Sequence, residues 1–89
     1  MSELLYSERF IADMVGVRSA RVRNGIFDMV DLLKELPDLG SSNLPPSIKE
    51  EFGNDVRRLV KDPFLVVYEY NQAQDEVRVL GVIHGRSAY

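Results

Sequence analysis

Apolar residues follow two regimes along this chain. Through the first forty or so positions they recur every three or four residues; from Asp55 onward they alternate. The opening run "SELLY" is short and apolar, and predicts a strand. Ser7 then stands as a helix N-cap with Glu8 in the first turn. Phe10 with Met14, and Ile11 with Val15, are spaced four apart and predict a short helix, stopped at Gly16. Val22, Ile26, Met29, Val30, Leu33 and Leu36 continue at helical spacing, opposite Arg21, Asn24, Asp28, Asp31 and Glu35. They predict a second helix from about Ser19 to Leu36, ended by Pro37 and weakened inside by Gly25.

"PDLGSSNLPPSIKEEFGN", Pro37 to Asn54, is the one long irregular stretch, with room for a helical turn in "PPSIKEEF". Three strands follow. "DVRRLVK" alternates Val56, Arg58 and Val60 against Arg57, Leu59 and Lys61. After the turn signal at Asp62 and Pro63 comes the β-branched and aromatic "FLVVYEY". "NQAQD" then leads into "EVRVLGVIH". On that last strand Val77, Val79, Gly81 and Ile83 make the expected core side, and Arg78, Leu80, Val82 and His84 the other.

Short connections make the last three strands an antiparallel meander. A helical hairpin with one apolar side must cover something. The pattern therefore predicts an α+β fold, β-α-α-β-β-β. Its N-terminal helical hairpin packs on a mostly antiparallel four-stranded sheet, with the first strand at an edge or between two others. The 89 residues suit a single domain, residues 1–89.

Composition narrows the chemistry. There is no cysteine, which excludes disulfides and thiolate catalysis and fits a cytoplasmic setting. The N-terminus lacks the pattern of a signal peptide, and no apolar run reaches the roughly 20 residues that span a bilayer. Net charge is −3, with nine acidic against six basic residues in positions 1–53 and five of each in 54–89. A free nucleic-acid binder ordinarily carries a basic excess, which this chain lacks. One histidine, His84, rules out a His-based metal pair, and no phosphate loop is present. No cofactor or metal is expected. What remains is a C-terminal group: His84 at the end of the last strand, Arg86 and Tyr89 just beyond, and either Arg57 with Lys61 or Arg58 of the first meander strand, brought alongside by a register that sequence leaves open. Such groups suit phosphate contact, stacking and proton transfer; they equally suit plain solvation of a sheet face.

The order of elements, with "YSERFIADM", "LLKELPDLG" and "VRRLVKDPFLVVYEYNQAQDEVRVLGVIHGR", resembles the RelE/ParE superfamily of bacterial toxins from type II toxin–antitoxin, or plasmid stabilisation (addiction), modules. The resemblance runs over nearly the whole chain and implies the architecture deduced above. For function it implies one of two branches. RelE-like members cleave messenger RNA on the ribosome through the RNA's own 2′-hydroxyl; on that reading Arg57, His84, Arg86 and Tyr89 are the candidate catalytic residues. ParE-like members poison DNA gyrase and cut nothing themselves. RelE-like members often carry an arginine second in the strand that begins here at Phe64; this chain has Leu65, which favours the ParE-like branch. A RelE-fold protein that only binds a partner is the third reading. The resemblance also implies a cognate antitoxin, often helical, laid over the helical hairpin or the sheet. The assembly would be a homodimer or a hetero-oligomer with that antitoxin.

Overall fold

In a computed structural model, which describes residues 1–88, the chain forms a four-stranded sheet with helices on both faces. Strand β1 (Glu3–Tyr6) leads into helix α1 (Glu8–Val15), and a four-residue turn leads to α2 (Ala20–Asp31). Helix α3 (Pro46–Phe52) precedes β2 (Val56–Lys61), β3 (Phe64–Asn71) and β4 (Glu76–His84), and a single turn, α4 (Gly85–Ala88), closes the described residues. Among the described residues, no helix is long and apolar enough to cross a membrane.

The first hairpin helix begins as expected on the Ser7 cap, and the second begins on a serine cap too, Ser19. The Ser7 hydroxyl accepts from the Phe10 N–H, and that of Ser19 from the Val22 N–H. The second helix ends earlier than its apolar spacing predicts. After Asp31 the chain tightens into a 3₁₀ turn, Leu32–Lys34, and Leu36 lies beyond it, half exposed. Pro37 is the cause: its ring disfavours helical geometry at the residue before it, so the last turn tightens and stops.

The strand order is β1-β4-β3-β2, with β1 at an edge and parallel to β4, and the other two pairings antiparallel. On one face the hairpin buries Phe10, Met14, Ile26 and Val30 against Leu59, Val66, Tyr68, Val77 and Val79. The other face is also covered, contrary to the expectation of an open one. There α3 and its approach pack Leu44 and Ile48 on Val56, Leu65 and Val67. The alternation of Leu65 and Val67 with Val66 and Tyr68 is that of a strand buried on both sides.

Alternation fails in β4. Val67 pairs with Gly81 and Tyr68 with Val79, so Leu80 is an extra residue, a β-bulge. Beyond it the sides exchange. Val82 joins Val77 and Val79 under the hairpin, while Leu80 and Ile83 pack on the α3 side. The expected core side, Val77, Val79, Gly81 and Ile83, is thus split between the two faces.

Strand β1 is too short to pair with β4 beyond Val79, and α1 takes over that edge with its polar groups. The Ser7 N–H donates to the Val79 carbonyl (2.9 Å) and the Ser7 hydroxyl to that of Leu80 (2.8 Å). The Asp13 carboxylate accepts from the Val82 N–H at 2.9 Å. Arg9 then ties α1 to α3, pairing with Asp13 and Glu51 and lying 4.6 Å over the Phe52 ring.

Candidate functional site

The sequence marks Arg57, His84, Arg86 and Tyr89. Arg57 sits on β2 opposite Tyr68, whereas His84 sits on β4 opposite Phe64, four residues along β3 and on its other side. Four residues of strand span about 13 Å, so the two do not share a site. Arg57 instead holds the long loop to the sheet. Its guanidinium donates to the Gly40 carbonyl at 2.8 Å and pairs with the Asp38 carboxylate at 3.7 Å. Tyr68 serves the same loop: its hydroxyl donates to the Pro37 carbonyl and accepts from the Gly40 N–H, both at 2.8 Å. Burial pushes the Tyr68 phenol above its usual pKa, which keeps it a donor.

His84 and Arg86 are together. The His84 ring meets Phe64 edge to face at 5.6 Å, and its Nδ1 accepts from the Arg86 N–H at 3.2 Å. With Nδ1 occupied as an acceptor, a neutral ring carries its proton on Nε2. The bulge puts His84 on the hairpin side, opposite to the side that simple alternation gives it, and it stands exposed at the strand end. The basic residue in line with it is Lys61, which pairs with Phe64 from β2. Lys61 in turn lies along α2, where its Cε would sit 2.5 Å from a Cβ added at Gly25. The glycine expected only to weaken α2 makes room for this side chain. Tyr89 lies outside the described residues. Among those described, no group of three or more His, Asp or Glu side chains is placed to hold a metal ion.

A sizeable concavity lies elsewhere among the described residues. A groove of about 580 Å³ runs between α1 and α2, lined chiefly by Tyr6, Phe10, Ile11, Val15, Arg23 and Phe27. Its floor is aromatic: Tyr6 stacks on Phe10 at 5.2 Å, and Phe27 stands edge-on to both at 6.1 Å. Val15 is 81% exposed, Ile11 56% and Phe27 41%. An eight-residue helix needs one apolar stripe to join a core, and Phe10 with Met14 supply it. Ile11 and Val15 form a second stripe that the fold leaves in solvent. That surplus was visible as spacing, but Phe27 lies off the apolar stripe of α2, and only the packing brings it into the groove.

With this geometry in hand, comparison with known proteins places the chain. The family model described as the ParE toxin of the type II toxin–antitoxin system, parDE, matches residues 4–89. No curated protein matches. Among solved structures, the intact E. coli RelBE toxin–antitoxin complex contains a chain of the same fold. The TM-score is 0.67 and the identity 17%, over 92% of this chain and 94% of that one.

Proposed function

The chain belongs to the ParE toxin family of type II toxin–antitoxin systems, and on that premise we propose that it arrests growth by binding DNA gyrase, with no chemistry of its own. The match to the ParE model over residues 4–89 carries this reading. Two features support it. Leu65 stands where RelE-like relatives often carry an arginine, and it is buried on the α3 side, where it contributes packing. Arg57, the strand arginine a nuclease would use, spends its guanidinium on the loop at Gly40 and Asp38.

We propose further that a cognate antitoxin holds the toxin inactive by filling the α1–α2 groove. An apolar, aromatic-floored concavity with exposed Ile11 and Val15 on its rim and a half-exposed Phe27 in its floor suits the apolar stripe of an incoming segment.

The test is induction of the chain in a bacterium, with message 5′ ends and gyrase-linked DNA breaks mapped together. Purified protein should inhibit supercoiling while translated message stays intact. Codon-linked cuts with unimpaired supercoiling would transfer the chain to the RelE-like reading, in which His84 and Arg86 do the chemistry; the exposure of both at the strand end is what favours that alternative.

A further inference from the structure

Lys61, His84 and Arg86 gather at the end of the sheet opposite the Arg57 loop. Register sets Lys61 beside Phe64 and Phe64 beside His84, so these three stand in one row across β2, β3 and β4, on the hairpin side. Backbone bonds hold the corner. The Gly85 N–H donates to the Pro63 carbonyl at 2.7 Å, which ties the end of β4 to the β2–β3 turn. The Arg86 N–H donates to His84 Nδ1, and the neutral ring therefore presents Nε2–H as a donor. Lys61 is placed by α2. Its Cε and Nζ would lie 2.5 and 3.0 Å from a Cβ added at Gly25, so the bare glycine is what lets the side chain lie against the helix.

All three groups are donors that lack an acidic partner. None of them pairs with a carboxylate among the described residues. The nearest acids along the chain, Asp28 on α2 and Asp62 in the β2–β3 turn, are exposed and leave them unpaired. In a chain of net charge −3 the corner is a local positive exception. Gly25 adds a second sign. Alanine would make α2 a better helix, and a lysine turned to water would need no notch in it.

We propose that this corner is an anion site for the phosphate group of a nucleotide. Lys61, the His84 Nε2–H and the Arg86 guanidinium hold the oxygens, and Gly25 positions Lys61. A carboxylate offers two acceptor oxygens and a phosphate ester three. Donors spread over two strand spacings, about 10 Å, suit the larger group. Phe64, partly buried between Lys61 and His84, supplies an apolar floor beside it. The phosphate comes either from a free nucleotide or from a nucleic-acid strand, and its chemistry is the same in both. The site binds and makes or breaks no bond, and it stands apart from the gyrase reading.

The test titrates the full chain with sodium phosphate, adenosine monophosphate and single-stranded DNA of about eight nucleotides, each against sodium chloride at equal ionic strength. The readout is the NMR shift of the His84 ring and the Arg86 amide. Phosphate should give a saturable shift that chloride does not reproduce, and binding should weaken about fivefold in Lys61→Ala and in Arg86→Ala. Gly25→Ala should weaken binding to a similar degree while its unfolding midpoint stays level or rises, a split that a merely structural glycine would not show. Tighter binding of the mononucleotide than of the strand supports the site with a free nucleotide as its ligand. Tighter and salt-dependent binding of the strand supports it with the backbone as the source. No saturable shift with phosphate, or a shift that neither Lys61→Ala nor Gly25→Ala alters, overturns the proposal. Either result leaves the gyrase reading to its own supercoiling assay.

Discussion

Asp13 and Val82 lie 69 residues apart in sequence, yet the Asp13 carboxylate receives the Val82 backbone N–H at 2.9 Å. It serves a stretch of the β4 edge that β1, whose last pair is Tyr6 with Val79, does not reach. A helix side chain thus completes the ladder of a strand whose neighbour is too short, and ties α1 to the sheet edge. Asp13→Ala should lower unfolding free energy by about 1–3 kcal/mol, because Val82 N–H loses its acceptor in a half-buried site. Asp13→Asn keeps an acceptor oxygen and should recover most of the loss. Chemical denaturation, with hydrogen exchange at the Val82 amide, checks both.

The loop from Pro37 to Asn43 depends on Tyr68. Tyr68→Phe should cost about 1–2 kcal/mol, leaving the Gly40 N–H buried without a partner. Gly40→Ala should do more harm, since a Cβ there would stand 2.7 Å from the Arg58 carbonyl oxygen and 2.6 Å from the Tyr68 ring. Unfolding midpoints of the two variants should rank in that order.

Acid should loosen the N-terminus. The Asp75 carboxylate is held below its ordinary pKa by hydrogen bonds first from Ser2 (2.5 Å) and then from Tyr70 (2.9 Å). A folded-state value depressed below the unfolded one, about 4, gives stability that is fully present above that unfolded value. It is lost as pH falls through the lower folded value. Wild type should therefore lose stability more steeply than Ser2→Ala on acidification, and the two should converge in strong acid. Urea midpoints across pH 7 to about 2 would show it.

Val15→Glu tests the groove. At 81% exposure the side chain contributes little to the fold, so thermal stability should stay within about 0.5 kcal/mol of wild type. Antitoxin binding should weaken by about tenfold or more, because the new carboxylate loses its hydration against an apolar segment. Titration calorimetry with the purified antitoxin measures it.

His84→Ala should leave growth arrest and supercoiling inhibition in place under the gyrase reading. Loss of arrest in a folded variant, together with loss of message cleavage, would favour the nuclease reading instead.

Local pattern was enough for much of this molecule. The Ser7 cap, the starts of the two hairpin helices and the three meander strands stand where propensity and spacing place them. Each depends on neighbours within a few residues, and such interactions are written in order along the chain. The spacing of Ile11 and Val15 was legible in the same way.

Other features depended on residues that meet only after folding. The edge position and parallel sense of β1 arise because the helices and the long loop carry the chain to β2 at the far edge, from which the meander returns to set β4 beside β1, and no local signal carries that. The bulge at Leu80 exchanges the two sides of the last strand, so alternation assigned His84 to the wrong face. Its cause is a requirement of the assembled sheet: α1 meets the edge at Leu80–Val82, and Gly81 leaves room where Phe52 and Asp13 converge, within 3.1 Å of a Cβ added there. Arg57 was separated from His84 by register, which hydropathy does not encode when both faces of a sheet are covered. Short-range chemistry determined which elements exist, while long-range packing decided which residues are neighbours, and with them where the groove lies.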